Sequence, residues 1–137
     1  MKSRRQKMKY YADWKRRNTV NGYFMDMFNR FKWRANKKNI PWKIKNAQEL
    51  LEMFHAHVQK FGMCCEFTGE QFVIYRYGTG KVNMQNVSLD RLVNNIGYTK
   101  DNCVFTTAAF NFRKRDITID DCKNIIRVYN NRTNQKE

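Results

Sequence analysis

Residues 88–116 read SLDRLVNNIGYTKDNCVFTTAAFNFRKRD. Residues of strand character run into Asp90, and a polar loop carrying a glycine and an aromatic follows, Asn94-Asn95-Ile96-Gly97-Tyr98. The short apolar run Cys103-Val104-Phe105 reads as a second strand. A segment of helical character then carries Asn111, Arg113, Lys114 and Arg115. The expected order is strand, loop, strand, helix, with one acid and two asparagines set along it.

That layout suits a metal ion beside a phosphate-binding surface. A carboxylate at a strand end binds a hard divalent ion through oxygen, and Asn111 adds a neutral amide oxygen from the helix. The rest of an octahedral shell is left to water and phosphate oxygens, which magnesium prefers. Arg91, Arg113, Lys114 and Arg115 are placed to hold phosphates. The same residues also admit structural roles: Asp90 paired with Arg91 or Arg113, Asn102 as a turn residue, and Asn111 as a surface amide.

Working outward, the chain has 137 residues, enough for one domain with a modest core. Its 27 Lys and Arg against 12 Asp and Glu give a net charge of +15, which suits a polyanionic partner, nucleic acid before an anionic membrane surface. No apolar run approaches the ~20 residues of a membrane span. The basic N-terminus lacks the apolar segment of a signal peptide, so a cytoplasmic protein is expected. Cys64, Cys65, Cys103 and Cys122 form no Cys-x-x-Cys pair. Buried reduced thiols are therefore expected, and no structural zinc.

Residues 2–18 lack a helix breaker and are dominated by Lys and Arg, including Arg4, Arg5, Lys15, Arg16 and Arg17. They read as a basic helix or arm that contacts a phosphate backbone, or as a solvated face. After a break at Asn21-Gly22, Tyr23, Phe24, Met27, Phe28, Phe31 and Ala35 repeat at helical spacing up to Lys38. Arg34, Lys37 and Lys38 lie on the other face. Asn39-Ile40-Pro41 ends this helix, and Trp42-Lys43-Ile44 is extended. Asn46 caps a helix over 47–61, with Leu50, Leu51, Phe54 and Val58 on one face. His55 and His57 sit two apart on it, point to different faces, and read as surface or partly buried. Cys64 to Gly69 is a tight turn, residues 72–77 read as a strand, Gly78-Thr79-Gly80 turns the chain, and Val87-Ser88-Leu89-Asp90 returns. Thr118 caps a last helix whose apolar face is Ile119, Cys122, Ile125, Ile126 and Tyr129, before a polar tail over 130–137.

Five pieces in order resemble the HNH nuclease family, and more narrowly the small phage-type members. They are Ser88-Leu89-Asp90-Arg91, Gly97-Tyr98 with Asn102, the basic helix with Arg34-Ala35-Asn36-Lys37-Lys38, its Ile40-Pro41 step, and the Cys65-Glu66-Phe67-Thr68-Gly69 turn. The resemblance covers roughly residues 24–128. It implies an α+β fold: a small ββα-metal (HNH-like) core over 62–137 with a C-terminal helix, and a basic helical N-terminal region over 1–61 packed on it. It implies Asp90 and Asn111 as metal ligands for one Mg2+ or Mn2+. Asn102 would brace the loop that positions the catalytic residue. Arg91 stands where most members carry the general-base histidine. Arginine stays protonated and cannot take a proton from water, so its expected part is to hold the scissile phosphate or stabilise charge in the transition state. Position 115, one turn after Asn111, carries an arginine where some relatives place a further histidine.

The expected function is a metal-dependent DNA endonuclease with DNA as partner, acting in a host bacterial cytoplasm as a phage protein. Two alternatives stand beside it: a non-cleaving nucleic-acid-binding or inhibitor protein on the same scaffold, and a module that binds an acidic host protein.

Overall fold

Leu89 and Phe105 face each other across an antiparallel pair, β1 (Val87–Arg91) and β2 (Cys103–Thr107). The register runs from Val87↔Thr107 to Arg91↔Cys103. Successive strand residues point to opposite faces, so the ladder has two surfaces of different character. One carries Val87, Leu89, Phe105 and, at its end, Arg91 and Cys103. The other carries Ser88, Asp90, Val104 and Thr106.

The structure is a computed structural model that describes residues 1–17, 19–74, 83–115 and 117–134; side chains of residue 11 and residues 13–17 are outside the description. Among the described residues the fold is α+β, with five helices and this one two-stranded sheet. The helices are α1 (Arg4–Arg17), α2 (Val20–Lys37), α3 (Ala47–Phe61), α4 (Ala108–Lys114) and α5 (Ile119–Asn134). The expected Gly78-Thr79-Gly80 turn, the 75–77 end of the expected strand, Asp116, the side chains of Lys15, Arg16 and Arg17, and the end of the tail at 135–137 lie outside the described residues.

The core is built where α2 and α3 cover the Leu89 face. Tyr23, Phe24, Met27, Phe28 and Phe31 from α2 meet Leu50, Leu51 and Phe54 from α3, together with Val87, Leu89 and Phe105. Phe24 stands edge-on to Phe105, and the Tyr23 hydroxyl donates to the Val87 carbonyl at 2.6 Å. This single cluster draws on residues from both sides of position 61. Ala109 of α4 is buried, and α4 packs on both strands.

Each helix end follows from local chemistry. In α1, Ser3 and Gln6 exchange reciprocal hydrogen bonds, a capping box. In α2, Thr19 accepts from the Gly22 N–H, and the helix runs through the expected break at Asn21-Gly22. One capping hydroxyl and the apolar stripe that starts at Tyr23 draw both residues into the first turn. The same helix ends in a Schellman motif: Asn39 takes φ 55°, and the Ile40 N–H reaches back to the Ala35 carbonyl at 2.8 Å. Asn46 caps α3, accepting from Glu49 N–H at 2.9 Å.

Three expectations change. Residues 71–74 form isolated bridges, Cys64↔Gln71 and Val73↔Asn86, and no ladder, so the described partner of β1 is β2. His57, expected at the surface or partly buried, is buried among the rings of Phe54, Phe61, Phe72 and Phe105, with Nε2 2.7 Å from the Cys64 carbonyl; Val58 is only half-buried. The apolar face of α5 is open: Ile125, Ile126 and Tyr129 are exposed, and the helix buries no residue. No helix among the described residues is long and apolar enough to cross a membrane.

Candidate metal and phosphate site on the β1–β2–α4 unit

The site lies on the ladder face that α4 covers. Ser88 and Asp90 are two apart on β1 and share that face; Asn111 and Lys114 are three apart on α4 and share the face turned to it. Asn111 Nδ2 donates to Ser88 Oγ at 2.9 Å and to the Leu89 carbonyl at 3.2 Å. These two bonds fasten α4 beside Asp90. They also commit the amide nitrogen, so the Asn111 oxygen is the end left without a hydrogen bond among the described residues.

Asp90 is buried, 7% exposed. Its Oδ1 accepts from the Arg91 N–H at 2.8 Å. Its Oδ2 lies 2.9 Å from Lys114 Nζ, with the two side chains 8% and 2% exposed. The ammonium approaches outside hydrogen-bonding geometry, so the contact is an ion pair and Oδ2 accepts no hydrogen bond among the described residues. Lys114 Nζ also stands 3.5 Å from the Arg91 carbonyl. Lys114 is therefore placed inside the unit and not on its outer surface. The ion-pair partner of Asp90 is this lysine, in place of the Arg91 or Arg113 guanidinium; from Arg91 it takes only the backbone N–H.

These residues fit one hard divalent ion in their donor chemistry. A buried carboxylate oxygen that accepts no hydrogen bond among the described residues, contacted only by an ammonium, and an uncommitted amide oxygen come from two elements tied together at Ser88 and Leu89. The ammonium on Oδ2 is the one feature that competes.

The loop after β1 is clamped by Asn102, itself 6% exposed. Its Oδ1 accepts from Val93 N–H at 3.0 Å, and its Nδ2 donates to the carbonyls of Val93 at 2.8 Å and Gly97 at 2.7 Å. Gly97 has φ 88°, and a Cβ built there would stand 2.4 Å from the Pro41 carbonyl oxygen. Only glycine fits that approach. Next to it, Tyr98 N–H donates to Pro41 and Lys43 N–H donates to Tyr98, both at 2.8 Å. The Ile40-Pro41 step and the Gly97-Tyr98 step, far apart in sequence, are two sides of one contact.

Arg91 is held at this loop. One guanidinium nitrogen donates to the Asn94 carbonyl at 2.7 Å, and the group lies over the Tyr98 ring, 5.2 Å from its centroid. Burial raises the Tyr98 hydroxyl above its ordinary value; the charge of Arg91 opposes this, Cys103 and Asp90 reinforce it, and Arg34 opposes it. Guanidiniums of β1 and α2 thus act on one phenol beside Asp90. Burial also pushes the Cys103 thiol up to about 12, against a backbone hydrogen bond from Thr99 and the Arg91 charge.

The other basic residues divide. Arg34, Lys37 and Lys38 are exposed near the C-terminal end of α2, with Lys37 over the exposed ring of Trp33 at 4.6 Å. Arg4, Arg5, Arg113 and Arg115 are exposed as well. Arg115 lies beyond the end of α4 with φ 48°, so it leaves the face that Asn111 and Lys114 share. Among the described residues no group of three or more His, Cys, Asp or Glu is gathered. The residues that sequence reasoning missed here are Ser88 and the pairing role of Lys114. Their two- and three-residue spacings from Asp90 and Asn111 were the available signal.

No family model matches the chain, no curated protein matches it, and no solved structure matches it.

Proposed function

We propose that this chain is a metal-dependent endonuclease acting on DNA, with a strand–strand–helix site of HNH type. The observation that carries the reading is the buried Asp90 at the end of β1. One of its oxygens lacks a hydrogen bond, and Asn111 of the following helix is fastened beside it. Asp90 Oδ2 and the Asn111 amide oxygen would hold one Mg2+ or Mn2+. When bound, such an ion stabilises the leaving oxygen of a phosphodiester.

The chain's own residues do the rest. Asn102 fixes the loop on which Arg91 is held. Arg91 uses one donor on Asn94 and keeps others for a phosphate. Arg34, Lys37 and Lys38 of α2, with the basic α1, extend the positive surface along which a backbone is tracked. His57 is a core residue bonded to a carbonyl, which removes it as a general base.

Purified protein with supercoiled plasmid tests this directly. Nicked or linear DNA is expected with Mg2+ or Mn2+ and none with chelator. Asp90→Ala should reduce the rate on the order of 100-fold or more. Intact plasmid under all metal conditions would remove the enzyme reading.

The ion pair of Lys114 with Asp90 favours a second reading, a DNA-binding protein that does not cleave. It predicts a salt-dependent gel shift, no nicking, and binding unchanged by Asp90→Ala.

A further inference from the structure

The Asp90 carboxylate already has a cation on it. Lys114 sits at the last helical position of α4, three residues after Asn111, with its side chain 2% exposed. Its ammonium touches the one oxygen of Asp90 that carries no hydrogen bond. A magnesium ion needs that oxygen at roughly 2.0–2.1 Å and brings two further charges with it. An ammonium 2.9 Å from the same oxygen repels the ion and competes with it for that oxygen in a site this buried.

We propose that Lys114 is the resident counter-cation of this site, and that a divalent ion binds Asp90 only by displacing the Lys114 ammonium. The proposal rests on the reading of Asp90 as a metal ligand. Without nucleic acid, the ion must break a buried pair and is bound weakly. A phosphate at the site offers Lys114 another anion, so polyanion and metal assist each other's binding. The lysine thereby keeps the carboxylate neutralised while no substrate is present, which a solvated ligand set would not require.

The test is Mn2+ binding to the full chain without DNA, read from the electron paramagnetic resonance signal of free Mn2+. Lys114→Met keeps the length of the stem and removes the charge. It should bind Mn2+ about tenfold or more tightly than the parent protein, since the buried carboxylate has lost its counter-ion. Adding Asp90→Asn to Lys114→Met should abolish the gain. Equal affinity in the parent and Lys114→Met, with both lost on Asp90→Asn, would overturn the proposal while leaving Asp90 a ligand. Binding insensitive to Asp90→Asn in either background would remove the ligand reading itself. Should Lys114→Met fail to fold, the unsubstituted protein carries the test. Amine-reactive labelling of Lys114, read by peptide mass spectrometry, should be slow without metal and rise at saturating Mn2+. Protection that persists with Mn2+ bound would overturn the proposal.

Discussion

Asp90 near the end of β1 and Asn102 at the end of the loop that leads to β2 are both buried polar residues, and their hydrogen-bond accounts differ. Asn102 spends its oxygen on one N–H and its nitrogen on two carbonyls. Both polar atoms have partners, and every one of these bonds stays within the 93–102 loop. Asp90 has one backbone donor on Oδ1 and an off-axis ammonium on Oδ2. Buried polar groups are almost always satisfied, so an incomplete account at a buried carboxylate calls for an explanation. A fully satisfied amide is what a brace requires. A carboxylate oxygen met only by an off-axis ammonium is what the proposed ligand position requires.

The largest effect that separates the two roles comes from a charge cycle. Asp90→Asn leaves the Lys114 ammonium buried without its counter-ion, and Lys114→Met leaves the carboxylate so. Each single change should cost about 3–5 kcal/mol of unfolding free energy. The double variant removes both charges and should recover most of that loss, as measured by urea denaturation. It should also be inactive on plasmid. Additive losses in the double variant would mean that the pair is not coupled, and the contrast with Asn102 would lose its basis.

Asn102→Ala probes the other member. It removes three hydrogen bonds and orphans the buried N–H and carbonyls of the loop, for a cost of about 2–4 kcal/mol. The loss should track with the loop: Arg91 loses its fixed seat, so nicking falls in parallel with stability. Metal affinity at Asp90 should hold. If Asn102→Ala weakened Mn2+ binding as much as Asp90→Asn does, the division into brace and ligand would fail. Melting temperature and Mn2+ titration on the same sample check both halves.

The two ladder strands and the helix after them were legible because their apolar spacing is short and unambiguous: Val87 to Asp90, Cys103 to Phe105, then the segment with Asn111. The α3 cap was legible from Asn46 alone. The start of α2 was not, since Asn21-Gly22 reads as a break until the hydroxyl of Thr19 is seen to take the Gly22 N–H. The placement of Lys114 was not legible either. A lysine within Arg113-Lys114-Arg115 is exposed by default, and its three-residue spacing from Asn111 was the one signal that it turns inward. The contact of Gly97 with Pro41 joins distant segments, and no local pattern announces it. His57 defeats local reading for the same reason, because its partner is a carbonyl contributed by the turn at Cys64.

Alkaline pH supplies a smaller effect, at the edge of the site. The Cys103 thiol is pushed up to about 12 from the ordinary 9.0. In the unfolded chain it loses its proton near 9.0, whereas in the folded chain it keeps it. The folded state then binds more protons, so this contribution is fully present below pH 9 and is lost as pH rises from there toward about 12. The slope should reach at most about 1.4 kcal/mol per pH unit. The raised Tyr98 hydroxyl acts in the same direction. Cys103→Ala should flatten the decline in denaturation curves collected across that range. An equally steep decline in the variant would place the alkaline loss elsewhere.

The smallest effect tests whether an incomplete hydrogen-bond account is enough to mark a functional residue. Thr106 lies opposite Ser88 in the ladder, is 0% exposed, and its hydroxyl has no partner among the described residues. It shares the layer of Asp90 but carries no charge and has no donor or acceptor directed at it. Thr106→Val keeps the β-branched shape and exchanges an unpaired hydroxyl for a methyl. Relief of the desolvation cost should raise stability by about 1 kcal/mol, seen as a higher denaturation midpoint at unchanged slope. Nicking should be unaltered. A loss of nicking in a stabilised Thr106→Val protein would show that the hydroxyl belongs to the site, and the distinction would then lie in the layer as a whole rather than in the charge of Asp90. A gain in stability with activity kept would leave the open carboxylate oxygen, paired off-axis with Lys114, as the feature that separates a working group from a merely unsatisfied one.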